Sequence, residues 1–408
     1  MLNESEKLNE IIRLGTELVM VQDVDILLEK ILHKARRIVN ADAGTIYVRE
    51  GDHLKFSHAQ NDTLSKNLPP GYKLIYSVFK SKISTNFISG YVAATGEILN
   101  IPDVYQISGT PYGFDSNCDK ISNYKTTSML TVPLKTSRGD ILGVLQIINA
   151  LDDKGRVVPF DKNDEPFILH YASIAGMILQ RAQMTRILLL RMISMAEQRD
   201  PKETASHVNR VAAYSVELYE HWAHRKHLPE EQIERNRDIL RMAAMLHDVG
   251  KVAISDLILK KPSHFTEDEY VLMKNHTWLG ARLFKEKQSD LDDVASSVAL
   301  THHENWDGSG YPGYVDVDTG TPISPSPSGG AVGRKGEEIP IFGRIVALAD
   351  VFDALSSKRV YKNAWSEQDV LDEIRRESGK KFDPDIVEVF FESLDLLRSI
   401  AKRYPDAD

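Results

Sequence analysis

The chain has 408 residues, of which 42% are hydrophobic and 27% are charged, and its formal net charge is −9. This length is more than one hydrophobic core usually organises, so we expect two or three globular domains. The acidic balance argues against nonspecific nucleic-acid binding, which needs a basic surface. The N-terminus lacks the apolar segment of a signal peptide, and no apolar run approaches the roughly 20 residues of a membrane-spanning helix. With its single cysteine, Cys118, unable to pair within the chain, the sequence predicts a cytoplasmic protein without a membrane partner.

The first 162 residues predict an α+β domain. Apolar stripes at helical spacing indicate two helices within residues 1–40, and residues 89–95 indicate a short third helix. Runs rich in β-branched residues, separated by turn-forming residues, predict five strands at 44–48, 54–59, 98–101, 129–134 and 142–148. Helices flanking an antiparallel sheet are typical of an α+β fold.

Residues 163–196 predict one long helix. Its apolar residues, among them Ile168, Ala175 and Ala182, recur at nearly heptad spacing. Such a helix can pack on its own domain, or it can form a two-stranded connector that aligns a homodimer. We favour the connector, which would pass a conformational signal along the chain.

Residues 197–408 predict an all-α domain, because helical apolar stripes follow one another to the end of the chain. Residues 314–333 interrupt this pattern, since they are rich in Gly, Pro, Ser and Thr and show no apolar periodicity. We expect a mobile surface loop there, which is either a lid over a site or an inert insertion.

Two short motifs in this domain offer metal ligands. His302 and His303 follow an apolar helix and open a glycine-rich loop, and neutral imidazole is the commonest metal-binding side chain. His247 and Asp248 are adjacent near another helix end, and a carboxylate has two oxygens with which to bridge two cations. Lys251 follows and places a positive charge beside the same predicted cavity.

Further candidate ligands lie at otherwise apolar helices. Glu203 and His207 are four residues apart, on one face of a predicted helix, and His276 lies on a helix predicted from Glu267 to Glu286. Asp350 and Asp353 share a later helix. Each has an ordinary explanation: a buried core histidine, a carboxylate paired with an arginine, or an acid favoured by the helix dipole. Together with the tandem motifs they predict a polynuclear metal site.

The N-terminal part resembles a GAF domain, the small sensory fold of signalling proteins. The resemblance lies in the helix-into-strand run at residues 27–48, in G-Y-V-A-A-T-G-E-I-L-N-I-P-D at 90–103, and in the hairpin at 130–150. It implies an unknown small-molecule ligand or none. Phe114, Asp115, Asn117 and Tyr124 are candidates to line a pocket, or they belong to a solvated loop.

Residues 197–397 resemble the HD-GYP family, a branch of the HD metal-dependent phosphohydrolases. The motifs that carry the resemblance are S-H-V-N-R-V (206–211), H-D-V-G-K (247–251), N-H-T (275–277), H-H-E-N-W-D-G-S-G-Y-P (302–312), A-D-V-F-D-A-L (349–355), R-V-Y-K (359–362) and F-D-P (382–384). The long insertion at 314–333 departs from the family pattern. The expected architecture is therefore multidomain: a GAF domain at 1–162, a connecting helix at 163–196 and a helical HD-GYP domain at 197–408.

The second resemblance implies a centre of two or three divalent metal ions, with iron preferred and manganese as the alternative, and nitrogen and oxygen donors without thiolate suit these metals. Asp248 would bridge two of the ions, and Glu203 matches an extra carboxylate of members that hold three. The implied metal ligands are Glu203, His207, His247, Asp248, His276, His302, His303 and Asp350.

The implied reaction is hydrolysis of cyclic di-GMP, a bacterial second messenger, to linear pGpG and possibly on to GMP. A metal-activated hydroxide would attack the phosphodiester, with Asp248 and Lys251 as the catalytic residues. The alternatives are an HD phosphohydrolase for another cyclic or linear nucleotide and a non-catalytic cyclic-dinucleotide receptor. Glu304, Asp307 and Tyr311 are further candidates, either to support the ligands, as a carboxylate does when it accepts the other N–H of a ligand imidazole, or to shape the loop. The candidate substrate contacts are Lys251, Asp353, Arg359, Lys362 and Tyr311, although Arg359 and Lys362 also fit a solvated cationic face.

Overall fold

The computed structural model describes residues 4–66, 74, 79–197, 204–261, 263–323, 325, 330–357 and 365–405. The chain separates into two compact units, Met1–Ile187 and Leu188–Asp408. The domain boundaries that the sequence predicts, near residues 162 and 196, stay predictions: a single helix, Glu165–Glu197, begins just after the first boundary, ends at the second and contains the division between the units.

The first unit is an α+β fold around a single antiparallel sheet. Its strands are β1 (Ala41–Glu50), β2 (His53–Asn61), β3 (Lys80–Lys82), β4 (Leu99–Ile101), β5 (Met129–Lys135), β6 (Ile141–Leu151) and β7 (Val157–Val158). They pair in the order β3-β2-β1-β6-β5-β4, with β7 added beside β6. The helices of this part are α1 (Glu4–Met20), α2 (Val24–Ile38), α3 (Asp62–Ser65), α4 (Ile88–Thr95), α5 (Asn117–Ser122) and α6 (Glu165–Glu197).

The main core of this unit lies between one face of the sheet and the helices α2 and α6. Leu27 and Ile31 from α2, Val132 from β5, Ile147 from β6 and Tyr171 from α6 are all fully buried. The Tyr171 hydroxyl satisfies its donor by bonding to the carbonyl of Ile31 at 2.9 Å. The five predicted strands and the predicted helices are present, whereas β3 and β7 are too short for periodicity to reveal.

The second unit is entirely helical among its described residues, apart from isolated β-bridges. Its helices are α7 (Ala205–Arg225), α8 (Glu230–Met245), α9 (Asp256–Leu259), α10 (Glu267–Lys274), α11 (His276–Leu283), α12 (Asp290–Thr301), α13 (Ile341–Ser356), α14 (Glu367–Arg376), α15 (Pro384–Glu392) and α16 (Leu394–Arg403). Buried apolar side chains of α7, α8, α12 and α13 form the centre of its core. No helix in the described part of the chain is both long and apolar enough to cross a bilayer.

The predicted helix from Glu267 to Glu286 is in fact two helices. The chain turns at Asn275, which is the C-cap of α10 and the N-cap of α11, so His276 becomes the first residue of a new helix. Gly250, in the turn after α8, lies so close to this point that a Cβ there would meet the His276 carbonyl at 1.9 Å. The close approach brings the two segments that carry His247, Asp248 and His276 together.

The described residues of the 314–333 insertion are more ordered than the predicted surface loop. Val315 bridges to Pro322 and is buried in a small cluster with Ala281 of α11 and Leu300 of α12. The amide of Tyr314 also donates to the carbonyl of Val332 at 2.9 Å, which closes the base of the insertion. The sequence did not reveal this packing because single apolar residues anchor it, without any periodic pattern.

Candidate metal centre

Seven of the eight predicted metal ligands converge in the second unit. They form two groups, within each of which the potential ligand atoms lie within 4.8 Å of one another. The first group consists of Asp248, His276, His302 and His303, and the second of His207, His247 and Asp350. Since His247 and Asp248 are adjacent in the chain, the two groups share one turn of backbone.

The helix ends position these side chains. His302 caps the C-terminus of α12, and His247 lies just beyond the end of α8. His207 is in the first turn of α7, whose N-cap is Thr204, and Asp350 lies on α13. Each helix is anchored in the apolar core, so the ligands sit on rigid elements, which suits a site of fixed geometry.

Backbone carbonyls fix three of the imidazoles in one tautomer. Nδ1 of His247 lies 2.8 Å from the Ala244 carbonyl, and Nδ1 of His276 lies 2.7 Å from the Met273 carbonyl. Nδ1 of His302 lies 3.0 Å from the carbonyl of Ala299. A carbonyl can only accept, so Nδ1 carries the proton in each ring and Nε2 presents its lone pair to the centre.

These lone pairs face a carboxylate rather than a donor. His276 Nε2 is 3.1 Å and His302 Nε2 is 3.4 Å from Asp248 Oδ1, while His247 Nε2 is 3.3 Å from Asp248 Oδ2. Nε2 of His276, Nε2 of His302 and Asp248 Oδ1 are buried and make no hydrogen bond among the described residues. Acceptors that face one another need a cation between them, so the donor set fits divalent metal ions.

The charge state of the first group is also that of a metal site. Although burial opposes its ionisation, Lys251 and the surrounding imidazoles lower the pKa of Asp248 well below its ordinary value. Burial lowers the pKa of His302, and it lowers that of His303 further. The group therefore holds an ionised Asp248 and neutral His302 and His303 at pH 7, which are the forms that bind metal.

A buried ion pair between Asp353 and Arg210 fixes the orientation of His207. Its Nδ1 donates to Asp353 Oδ2 at 2.8 Å, and its Nε2 lies 3.5 Å from Asp350 Oδ1. Arg210 donates to both oxygens of Asp353, at 2.6 and 2.9 Å. The sequence predicts Asp353 as a substrate contact, but the side chain is 1% exposed and its oxygens are engaged. The structure thus corrects this prediction: Asp353 orients His207.

Other predicted residues lie around the two groups. Lys251 Nζ is 2.6 Å from Asp248 Oδ2. The ring of Tyr311 lies against that of His303, with centroids 4.8 Å apart. Burial raises the pKa of the Tyr311 hydroxyl. The predicted ligand Glu203 and the predicted substrate contacts Arg359 and Lys362 fall outside the described residues.

The sequence indicated no role for Arg210, and it made Glu304 a candidate either to orient a ligand imidazole or to shape the loop. Arg210 follows His207 by three residues on α7, so the same-face spacing was a usable signal. Glu304 is buried, and its carboxylate accepts the amides of Gly313 at 2.7 Å and Arg334 at 3.3 Å. Glu304 thus fastens both ends of the 314–333 insertion, a role that needs the folded chain to be recognised.

Comparison with protein families agrees with this arrangement. Residues 23–179 match the GAF domain model, and residues 204–355 match an HD domain model, with a second HD domain model matching 327–386. The chain is a GAF–HD protein of the HD-GYP type. The HD match begins at Thr204, just before the helix that carries His207, and ends after Asp350 and Asp353.

The HD-GYP chain is similar to curated bacterial phosphodiesterases. It is 30% identical over 322 residues to 3'3'-cGAMP-specific phosphodiesterase 2 of Vibrio cholerae, and the matched region covers 77% of this chain and 56% of that protein. It is 34% identical to a cyclic di-GMP phosphodiesterase of Thermotoga maritima, over 62% of this chain and 59% of the relative. It is 36% identical to the cyclic di-GMP phosphodiesterase response regulator RpfG of Xanthomonas campestris, over 56% of this chain and 57% of that relative. The chain thus spans little more than half the length of these relatives.

The GAF domain has a separate cavity of about 350 Å³, lined in part by Tyr105, Tyr112 and Phe114. Phe114 is one of the predicted pocket residues. Tyr124, another of them, instead donates its hydroxyl to Asp42 Oδ2 at 2.7 Å, and burial raises its pKa. Tyr124 therefore contributes a structural hydrogen bond within the GAF domain.

Proposed function

We propose that this HD-GYP domain is a metal-dependent phosphodiesterase that hydrolyses cyclic di-GMP to linear pGpG and possibly on to GMP. The observation that supports this most is the pair of ligand groups joined by His247 and Asp248. A protein that only binds a nucleotide has no need for two adjacent clusters of acceptor atoms around a bridging carboxylate. The names of the relatives support the choice of a cyclic dinucleotide.

The residues of the first group would hold one cation and those of the second group another, with Asp248 between them. Two divalent ions, iron or alternatively manganese, would neutralise the phosphate and lower the pKa of an attacking water. A third ion depends on Glu203, which stays a prediction. Nitrogen and oxygen donors without thiolate favour iron and manganese over copper(I) or structural zinc.

The chain's own residues would prepare the site for the phosphodiester. Asp353 and Arg210 orient His207, and the backbone carbonyls orient the other imidazoles, so little reorganisation is needed when substrate arrives. Lys251, paired with Asp248, supplies a cation that can turn to a phosphate oxygen once the carboxylate is occupied. Arg359 and Lys362 stay predicted substrate contacts.

We further propose that the GAF domain binds a small molecule and regulates the HD-GYP domain, and that the chain forms a cytoplasmic homodimer through α6. The support for the dimer is a row of exposed apolar side chains along this helix. Met177, Met184 and Met192 are 45%, 59% and 61% exposed and recur at roughly heptad spacing. An unpartnered apolar row of this kind is stabilised by a second copy of the helix.

A second candidate substrate is 3'3'-cGAMP, since the relative that covers 77% of this chain is named for that activity. The test is hydrolysis by anaerobically purified, iron- or manganese-loaded protein, with products identified by mass spectrometry. Turnover of cyclic di-GMP to pGpG or GMP is the expected result. Turnover of 3'3'-cGAMP alone would favour the second candidate, and turnover of neither would refute both.

A further inference from the structure

Beside the metal centre, the exposed helix α10 carries two side chains that neither the family motifs nor the metal site uses. Tyr270 is 47% exposed, and Lys274 lies one helical turn later on the same face. None of the residues of α10 is fully buried, and its start is fixed by the capping box of Thr266 and Glu269. The helix thus contributes little to the core while presenting these side chains next to His276.

The two side chains form one cluster with Tyr311. Lys274 Nζ lies 4.5 Å from the centroid of the Tyr270 ring and 5.1 Å from that of the Tyr311 ring. The Tyr270 and Tyr311 centroids are 6.3 Å apart, with the rings nearly perpendicular. Since Tyr311 also lies against His303, the cluster contacts a predicted metal ligand directly, and Tyr270 is two ring contacts away from it.

Lys274 differs from Lys251 in what holds its charge. Lys251 pairs with the Asp248 carboxylate, whereas in the described part of the chain Lys274 makes no ion pair and lies only over the two rings. A cation held by aromatic faces keeps its N–H donors available for a ligand. In a chain with a net charge of −9, an uncompensated cation at a site mouth indicates binding of an electron-rich group.

We propose that Tyr270 and Lys274 form a nucleobase subsite that selects guanine for the reaction proposed above, on which this inference rests. The exposed Tyr270 ring offers a flat face on which a base can stack. Guanine presents two acceptors, N7 and O6, to a lysine, whereas adenine presents an amino donor in place of O6. Lys274 therefore favours guanine over adenine, and Tyr270 binds both.

The subsite also accounts for base selectivity, which the metal centre alone does not provide. The metal centre recognises only a phosphodiester, which every nucleotide of this class shares. A base whose phosphate lies at the metal ions is joined to that phosphate by one sugar, so its binding site must lie close to the metal ligands, and Tyr270 is linked to the predicted ligand His303 through Tyr311. The specificity of the HD-GYP domain thus comes from α10 as well as from the loop around Tyr311.

The test uses the full metal-loaded chain and two readouts. The first is kcat/KM for cyclic di-GMP relative to bis(p-nitrophenyl) phosphate, a phosphodiester without a base. The second is the inhibition constant of GMP relative to that of AMP, measured against the base-free substrate. The variants are Lys274→Met, Tyr270→Ala and Tyr270→Phe, with Lys402→Met as a matched control at an exposed lysine of α16.

We expect Lys274→Met to lower the kcat/KM ratio about ten- to a hundredfold and to abolish the preference for GMP over AMP, because a charge-assisted hydrogen bond is lost. Tyr270→Ala weakens GMP and AMP about equally, by about tenfold or more, since stacking does not distinguish the bases. Tyr270→Phe keeps the ring and lies nearer to wild type, and Lys402→Met behaves as wild type.

Wild-type ratios in both Lys274→Met and Tyr270→Ala would overturn the subsite while leaving the proposed reaction intact. A wild-type protein that cleaves bis(p-nitrophenyl) phosphate but not cyclic di-GMP would instead overturn the proposed substrate. In that event the GMP and AMP constants still decide the inference, because they do not depend on turnover of the dinucleotide.

Discussion

Replacing Asp353 by Asn tests how the centre is held in place. In the native chain the carboxylate accepts from His207 Nδ1 at 2.8 Å and from Arg210 at 2.6 and 2.9 Å. Asparagine keeps one acceptor but removes the charge that faces the guanidinium of Arg210, which is 4% exposed. Breaking a buried ion pair in this way costs about 3–5 kcal/mol, and the retained oxygen places the loss at about 3 kcal/mol.

The same substitution should also loosen the metal ligand. His207 loses the charged acceptor that fixes its tautomer and ring orientation, so we expect metal affinity to fall about 10- to 100-fold. Metal affinity is measured by competition with a chelator of known affinity, and stability by guanidinium unfolding of the metal-free protein. Metal affinity is measured without denaturant, where the variant is fully folded, so that unfolding does not mimic a loss of binding.

Glu220→Gln is the matched control. Glu220 pairs with Arg237 at 3.0 Å, and both side chains are 8% exposed. Glu220 lies thirteen residues after His207 on α7, and Arg237 lies ten residues before His247. Replacement of Glu220 should destabilise the domain by a similar amount while leaving metal affinity unchanged. If Asp353→Asn destabilises the protein as Glu220→Gln does and yet binds metal as tightly as wild type, the proposed orienting role is wrong.

Three further predictions concern pH, the insertion and the dimer. Burial lowers the pKa values of His302 and His303, so just below pH 6.5 only the unfolded chain protonates them. The free energy of unfolding of the metal-free protein should therefore fall by up to about 1.4 kcal/mol per histidine for each pH unit of acidification. Unfolding curves at several pH values measure this loss. Glu304→Ala should increase hydrogen exchange at the Gly313 amide about tenfold or more, measured by mass spectrometry, since two charge-assisted hydrogen bonds are lost. Met184→Glu should convert the proposed dimer into a monomer in sedimentation analysis.

Each of these predictions has its own control. Burial raises the pKa of Glu304, which opposes the histidine effect, so Glu304→Gln should steepen the loss of stability on acidification and His303→Gln should flatten it. A pH-independent stability between pH 7 and 5.5 would contradict the assignment. For the insertion, unchanged exchange would show that Glu304 does not fasten it. For the dimer, Thr185→Glu places the same charge on an exposed polar position of α6 and should leave the dimer intact.

The sequence predicted the architecture because it depends on periodic burial. The α2 stripe through Leu27 and Ile31 and the strand pair β5–β6 are long and regular, so their patterns identify both type and position. A His-Asp pair alone is a weak signal, and the prediction of a metal site came from the number of histidines and carboxylates at apolar helices together with the tandem histidines.

The remaining features depend on tertiary contacts that no local pattern encodes. The break at Asn275 arises where α11 meets Gly250, and this contact joins segments that lie far apart in the chain. Asp353 was predicted as a substrate contact because a carboxylate one turn after Asp350 fits either role, and only its burial against Arg210 decides between them. The anchors of the insertion, Val315 and Glu304, are single residues whose partners cannot be read from spacing.

The most direct test of the central claim is the metal content of anaerobically purified protein supplied with iron or manganese, measured by elemental mass spectrometry for the wild type and for Asp248→Ala. We predict at least two equivalents of metal per wild-type chain, and loss of most of the metal in the folded variant. A wild-type chain that binds neither metal, or an Asp248→Ala chain that keeps the full complement, would contradict a bridged centre.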